Sequence, residues 1–221
     1  CLGAATLLLD SGRAQAAPLL AGFSDALYVT PDGLTSGACK RSLTPAVEDP
    51  PTAAFFNYSA ACELRYALSI AVDGDTLRLA GGNYVTTDPL LGAVEISKSV
   101  TLIGGHRADF GDATGSTENE PEVDPVANPT LIVAQIPGPT LAVVGPVTTT
   151  LTTNVLLDGL RILHAVPDAN RGPGISVTLP LSPTGEGLPV ILNVVNSVVG
   201  DNSADEPGGG IAIHPQLQAR I

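Results

Sequence analysis

Gly208-Gly209-Gly210-Ile211-Ala212-Ile213 repeats, with changes, the earlier stretch Gly172-Pro173-Gly174-Ile175-Ser176-Val177, and the interval from Gly174 to Gly210 is 210 − 174 = 36. Upstream of each copy lies a second matched pair, Leu157-Asp158-Gly159-Leu160 and Val195-Asn196-Ser197-Val198, in which the interval from Asp158 to Asn196 is 196 − 158 = 38. Two landmarks recurring at nearly one period are the mark of stacked units, each leaving an apolar face for its neighbour to cover. Both are short aliphatic runs bounded by Gly, Asn and Asp, which makes the unit an all-β coil. Asn196 and Asn202 are placed at bends, where stacked amides can form ladders along the axis. Between the copies, Leu179 to Pro189 carries three Pro and two Gly and reads as a loop inserted into a shorter coil.

Further aliphatic runs precede the repeat: Ala93-Val94-Glu95-Ile96, Val100-Thr101-Leu102-Ile103, Thr130-Leu131-Ile132-Val133, Thr140-Leu141-Ala142-Val143-Val144 and Asn154-Val155-Leu156-Leu157. Several are continuous rather than alternating, as expected of parallel strands covered on both faces. Asp75-Thr76-Leu77-Arg78-Leu79-Ala80 is a strand that follows the chain's single convincing helix, residues 61–71. There Leu64, Ala67, Leu68 and Ala71 share one face, and Asp73-Gly74 ends the run. One amphipathic helix ahead of many strands suits a cap over the first rung of a solenoid, where a bare sheet edge would pair with other chains. Leu27-Tyr28-Val29 before Pro31-Asp32-Gly33 reads as a first strand and turn, and residues 34–58 as an ordered loop without periodicity.

Composition supports a turn-rich β fold: of 221 residues, 24 are Gly and 19 Pro, with 44% apolar but only 14% charged. A net charge of −12 argues against DNA, RNA or anionic lipid as partner. Leu2 to Leu9 is apolar and Ala14-Gln15-Ala16 precedes Ala17 in the manner of a small-residue cleavage site, so the start reads as the remnant of an export signal. A lipidated Cys1 and a structureless N-terminal scrap are the alternatives. No stretch approaches the ~20 apolar residues of a membrane span. The absence of Met and the stop just past a strand read as a fragment lacking both ends. Cys39 and Cys62 flank the loop. In an exported chain they are disulfide candidates, worth ~3 kcal/mol, with two buried free thiols as the alternative.

Catalytic constellations are hard to assemble. A glycoside hydrolase needs converging carboxylates, whereas Asp75, Glu95 and Asp158 lie on separate segments. A lyase needs a base and charge neutralisation, and the strand-borne Arg78 and Arg161 are expected to point outward into solvent. His106, His164 and His214 each follow a strand, at intervals of 164 − 106 = 58 and 214 − 164 = 50, outside the repeat period. They read as turn histidines rather than a stacked metal site. Asp109, Asp112, Glu118, Glu120, Glu122 and Asp124 form an acidic loop within 106–128, expected to be solvated, with calcium the one ion it leaves open. Gly208–Gly210 lacks the Lys of a phosphate cradle and the Asp of a calcium-binding repeat. No catalytic, cofactor-binding or metal residue is assigned.

Tyr28-Val29 with Pro31-Asp32-Gly33, then Cys62-Glu63-Leu64-Arg65-Tyr66-Ala67-Leu68, resemble the start of exported bacterial right-handed parallel β-helix proteins. So do Gly74-Asp75-Thr76-Leu77-Arg78-Leu79, Gly82-Asn83-Tyr84 and Val100-Thr101-Leu102-Ile103-Gly104-Gly105. Leu157-Asp158-Gly159-Leu160 and Gly208-Gly209-Gly210-Ile211 are similar to polymorphic outer-membrane-protein-like repeats, and the resemblance covers roughly residues 27–221. It implies an all-β, right-handed parallel β-helix of the pectin-lyase-like kind with one N-terminal capping helix. Its parts would be a signal remnant and linker (1–26), a cap (27–73) and coils truncated at the C-terminus (74–221). The family is secreted or surface-displayed and shares no catalytic residues, so none is carried over. The repeat period of this chain is longer than the family's usual coil. The function expected is a non-catalytic extracellular or cell-surface scaffold contacting glycans or surface proteins. The alternative is a polysaccharide lyase or glycoside hydrolase whose site lies in coils beyond Ile221.

Overall fold

In the computed structural model the described residues are 26–44, 47–48, 51–52, 55–110, 123–145, 152–164, 173–179, 190–202 and 209–215. The expected export-signal remnant, most of the acidic loop and the inserted loop after Leu179 lie outside them. Among the described residues thirteen strands form three parallel sheets, each strand laid on its counterpart from the previous turn of chain. The first sheet stacks β1 (Leu27–Leu34), β6 (Thr76–Ala80), β9 (Val100–His106), β12 (Thr153–Asp158) and β15 (Val190–Val195). The second stacks β7 (Gly82–Thr86), β10 (Thr130–Ala134), β13 (Leu160–His164) and β16 (Val198–Gly200). The third stacks β8 (Val94–Ile96), β11 (Leu141–Val144), β14 (Ile175–Leu179) and β17 (Ile211–Pro215). Chain order visits the three sheets in rotation, so these residues form an all-β parallel solenoid with one helix, α1 (Leu64–Ile70).

Register explains the core. Leu77, Leu102 and Leu157 stack in the first sheet, Tyr84, Ile132 and Ile162 in the second, and Val94, Leu141 and Ile175 in the third. All nine are buried and belong to one apolar cluster running along the axis. Full burial of such a side chain contributes roughly 1.5–3 kcal/mol. A one-residue slip would turn every stack outward, so the pattern fixes the register.

The repeat holds for the last turn alone. Leu157 pairs with Val194, an interval of 194 − 157 = 37, and Val177 with Ile213, an interval of 213 − 177 = 36. Leu77 pairs with Leu102 at 102 − 77 = 25, and Leu102 with Leu157 at 157 − 102 = 55. What is constant is the spacing of strands in space, while chain leaving the corners sets the length of each turn. The earlier landmarks are also offset by one. Asp158 pairs with Val195, and the counterpart of Asn196 is Gly159, whose N–H donates to the Val195 carbonyl at 3.2 Å. Gly159 and Asn196 occupy the left-handed bend between the first and second sheets, with φ of 67° and 47°. Asn is the residue after Gly that best tolerates that conformation. The expected amide ladder is absent among the described residues: Asn196 donates to Asp158 Oδ1 at 2.9 Å and Asn202 to the Ile162 carbonyl at 3.1 Å.

The N-terminal end is closed by α1 with Leu64, Ala67 and Leu68 buried, as the helical spacing predicts, and it packs on β1 and β8. Glu63 caps it, accepting the Tyr66 N–H at 3.0 Å. The helix runs Leu64–Ile70 rather than over the expected 61–71, because Cys62 is bridged to β1 and Glu63 is the cap, and Asp73-Gly74 form the following turn. The region 34–58 is not the plain loop its composition suggests. β2 (Ser42–Thr44) pairs antiparallel with β5 (Phe55–Asn57), and β3 (Val47–Glu48) with β4 (Pro51–Thr52). Strands this short cannot show an alternating pattern.

Cys39 and Cys62 are disulfide-bonded, both fully buried. Cys62 bridges to Val29 and Leu34 along the free side of β1. The close approach requires Gly33, where a Cβ would fall 2.0 Å from the Cys62 carbonyl carbon.

Candidate functional site

The strand-borne carboxylates do not converge. Asp75 lies just before β6 and accepts the Val72 N–H at 2.8 Å, a turn-forming role. Asp158 ends β12 in the first sheet and is engaged by Asn196. Glu95 is exposed on β8 in the third sheet. No two of these share a strand face, so the arrangement offers no acid–base pair of the glycosidase kind.

Arg161 is exposed as expected, but Arg78 is buried at 6% exposure. It lies outside the core yet pairs in register with Tyr28, whose ring meets Tyr58 at 4.8 Å and Phe110 at 5.2 Å between centroids. That aromatic cluster covers the outer face of the first sheet near its start, which turns a strand position that should face water into an interior one.

The histidines are not turn residues. His106 ends β9 and His164 ends β13, and both are buried, while His214 lies within β17. They belong to three different sheets, so they cannot form a stacked metal ladder. His164 Nε2 lies 2.9 Å from the Gly138 carbonyl and His106 packs 5.9 Å from Phe110. Their burial comes from strands that run past the point where the aliphatic pattern stops.

Asp112, Glu118, Glu120 and Glu122 of the acidic loop lie outside the described residues. Asp109 pairs with Arg107 at 3.2 Å, and Asp124 Oδ1 accepts the N–H groups of Val126 and Ala127 at 2.9 Å each. Among the described residues no group of three metal-ligating side chains occurs. Gly208 is outside them too, and the Gly209 and Gly210 carbonyls accept the N–H groups of Gly174 and Ile175 as part of the rung.

Among the described residues the fold builds hollows of two contrasting kinds. The first is a polar cleft of about 310 Å³ between α1 and β8, lined by Arg65, Leu68, Ser69, Glu95, Ser97 and Lys98. Arg65 donates to the carbonyls of Leu91 at 3.2 Å, Ala93 at 2.7 Å and Gly92 at 2.5 Å, and to Thr86 Oγ1 at 3.1 Å. Burial lowers its pKa from the ordinary value, opposed by Glu63 and Asp88. Lys98 donates to the helix-end carbonyls of Ser69 at 2.9 Å and Leu68 at 3.4 Å. Both cations are thus committed to backbone, and Glu95 is the one carboxylate in the lining. Such a cleft offers hydroxyl and carboxylate edges beside the Leu68 side chain. One signal for it is present in the sequence. An arginine in the first turn of a helix opposes the helix dipole and so calls for partners elsewhere.

The second hollow is apolar, about 430 Å³, at the last described turn, lined by Val177, Val190, Leu192, Val194, Ile211 and Ile213. It is a continuation of the core, bounded on one side by the last strands among the described residues.

No helix among the described residues is long and apolar enough to cross a membrane. No family model, no curated protein and no solved structure matches the chain.

Proposed function

We propose that the chain is part of an exported right-handed parallel β-helix protein, pectin-lyase-like in fold and similar to polymorphic outer-membrane-protein-like repeats. Its role is that of a non-catalytic scaffold at the cell surface or outside the cell, whose loops meet glycans or surface proteins. The observation that carries this reading is the tolerance of the corners. The turns from Leu77 to Leu102, from Leu102 to Leu157 and from Leu157 to Val194 differ more than twofold in length yet keep one strand register. Chain can therefore be added outside without disturbing the stack. A rigid stack with variable outer loops suits presentation of binding surfaces. The dispersed carboxylates and the committed cations of the polar cleft support the non-catalytic part. The Cys39–Cys62 disulfide supports an oxidising compartment.

The test is incubation of the chain with pectin, alginate and related polymers, read both as product release and as retention on the immobilised polymers or on cell surfaces. Retention without product is expected. Product formation would replace the scaffold by the lyase or hydrolase reading, and absence of both signals would remove the glycan-contacting role.

A further inference from the structure

The polar cleft between α1 and β8 is braced at both ends, and the groups it leaves unbonded point to a ligand. It lies within residues 65–98, all of them described. Arg65 ties the helix to the chain entering β8, at the carbonyls of Leu91, Gly92 and Ala93. Lys98 ties the chain leaving β8 to the helix end, at the carbonyls of Leu68, Ser69 and Ala71. The walls are thus fixed before anything binds, and a preformed site spares a ligand the cost of ordering it. A volume of about 310 Å³ lies at the small end of the range for small-molecule sites, ~300–1,000 Å³, and admits one sugar-sized unit rather than a chain.

Donors and acceptors in the lining are unequally engaged. Lys98 has three N–H donors and three carbonyl partners, and Arg65 directs four of its five donors to Thr86 and the 91–93 carbonyls. Glu95 projects outward between the buried Val94 and Ile96, and its register partner is Ala142, so no cation answers it across the ladder. Its carboxylate makes no ion pair among the described residues, although Arg65 and Lys98 line the same cleft. Ser69 donates its hydroxyl to the Tyr66 carbonyl at 2.7 Å and keeps its lone pairs for a donor, and Ser97 adds a second hydroxyl. The cleft is therefore rich in acceptors and short of donors. An anion would find few N–H groups and would meet the Glu95 charge, whereas a cation would meet Arg65 and Lys98. What fits is a neutral molecule that brings several O–H donors, with Leu68 as an apolar contact for its C–H face.

We propose that this cleft binds one unit of a neutral sugar, with Glu95 accepting from two neighbouring hydroxyls and Ser69 and Ser97 completing the contact. The inference rests on the glycan-contacting reading above and gives it an address and a ligand class. Anionic polymers such as pectin and alginate would have to be met elsewhere on the molecule.

Two-dimensional NMR titration of the chain with lactose, cellobiose and mannobiose tests this, with digalacturonate and glucosamine as the anionic and cationic counterparts. A neutral disaccharide should shift the amides of residues 65–69 and 95–98, and the charged sugars should not. Glu95→Ala should weaken that binding by about ten- to a hundredfold, as expected for hydrogen bonds to a charged acceptor. Arg161→Ala, at an exposed site on β13 in the second sheet, should leave it unchanged. Glu95 is exposed on its strand, so amide shifts outside the cleft should match the wild type and verify that the variant is folded. Shifts confined to other regions, binding that survives Glu95→Ala, or a preference for either charged sugar overturns the proposal. So does a failure of all three neutral sugars to bind. Retention of the chain on immobilised polymers or cell surfaces would then leave the scaffold reading standing without this cleft, and loss of retention as well would remove both.

Discussion

The first and the last described turns of this solenoid use the same aliphatic register and are covered in different ways. At the start, the free side of β1 is occupied by Cys62, the core is plugged by Leu64, Ala67 and Leu68 of α1, and the outer face is covered by Tyr28, Tyr58 and Phe110. At the finish, Val190, Leu192 and Val194 are only half-buried, because nothing among the described residues is laid upon them. A position in a stacked fold therefore has no burial of its own. Its burial is a property of the turn above and the turn below, as nearest-neighbour energetics requires.

A matched pair of truncations should separate the two turns most strongly. Ile175 and Ile211 are the same residue at the same register position of the third sheet, one 0% and the other 43% exposed. Ile175→Ala should cost up to ~5 kcal/mol, because it removes buried methylenes and leaves a cavity. Ile211→Ala, measured by urea denaturation of the same chain, should cost about 1 kcal/mol or less. Equal losses would mean that the last turn is covered in solution.

A second break attacks the closed end. Reducing the Cys39–Cys62 disulfide, or replacing both cysteines by Ser, should lower stability by ~3 kcal/mol, the loop-closure value for a separation of 23 residues. The loss should appear first in amide exchange of β1 and α1, with β12 to β15 protected longer. Uniform loss along the axis would show that the cap and the stack unfold as one unit.

Much of this is legible in the residues, and what is not has a common cause. Strand positions, the buried helix face and the cysteine pair follow from aliphatic runs, helical spacing and the placing of Cys39 and Cys62 around one loop, all local signals. The period misleads, because it belongs to the last turn alone and the turn from Leu77 to Leu102 is far shorter. Chain added at a corner alters spacing in sequence without altering register. His106 defies the local pattern because Phe110 packs on it, and Arg78 lies in register with Tyr28, which Tyr58 and Phe110 cover from loops outside the strands. The same is true of the cleft between α1 and β8, where Arg65 and Lys98 find carbonyls on segments remote in sequence. Local patterns predict elements well, but the covering of outer faces is set by long-range contacts.

Tyr84 allows a finer test of the closed end. Its hydroxyl lies buried 2.9 Å from the carbonyls of both Val29 and Ala80, and burial pushes its pKa well above the ordinary 10.0. The sign follows from linkage. Below pH 10.0 the phenol is neutral in both folded and unfolded chains and its full contribution is present. Above it the unfolded chain ionises while the folded one cannot, so stability should fall by up to ~1.4 kcal/mol per pH unit from this group. Tyr84→Phe should flatten that alkaline limb while costing ~1 kcal/mol at neutral pH for the lost hydrogen bond. An unchanged limb would assign the alkaline loss to other residues.

The smallest effect concerns how α1 is held at its C-terminal end. A helix of seven residues is too short to persist alone, so its last carbonyls need donors from outside. Lys98 supplies them from the turn after β8, which couples the helix to the third sheet rather than to its own sequence neighbours. Lys98→Met keeps much of the aliphatic stem but removes the donors and the favourable charge at the helix end. The expected loss is about 1 kcal/mol, confined to the closed end and reduced by added salt to the extent that it is electrostatic. Amide exchange should quicken in α1 and remain unchanged at β15. If exchange quickened equally at both ends, the helix would be a support for the whole stack and not a cap upon its first turn.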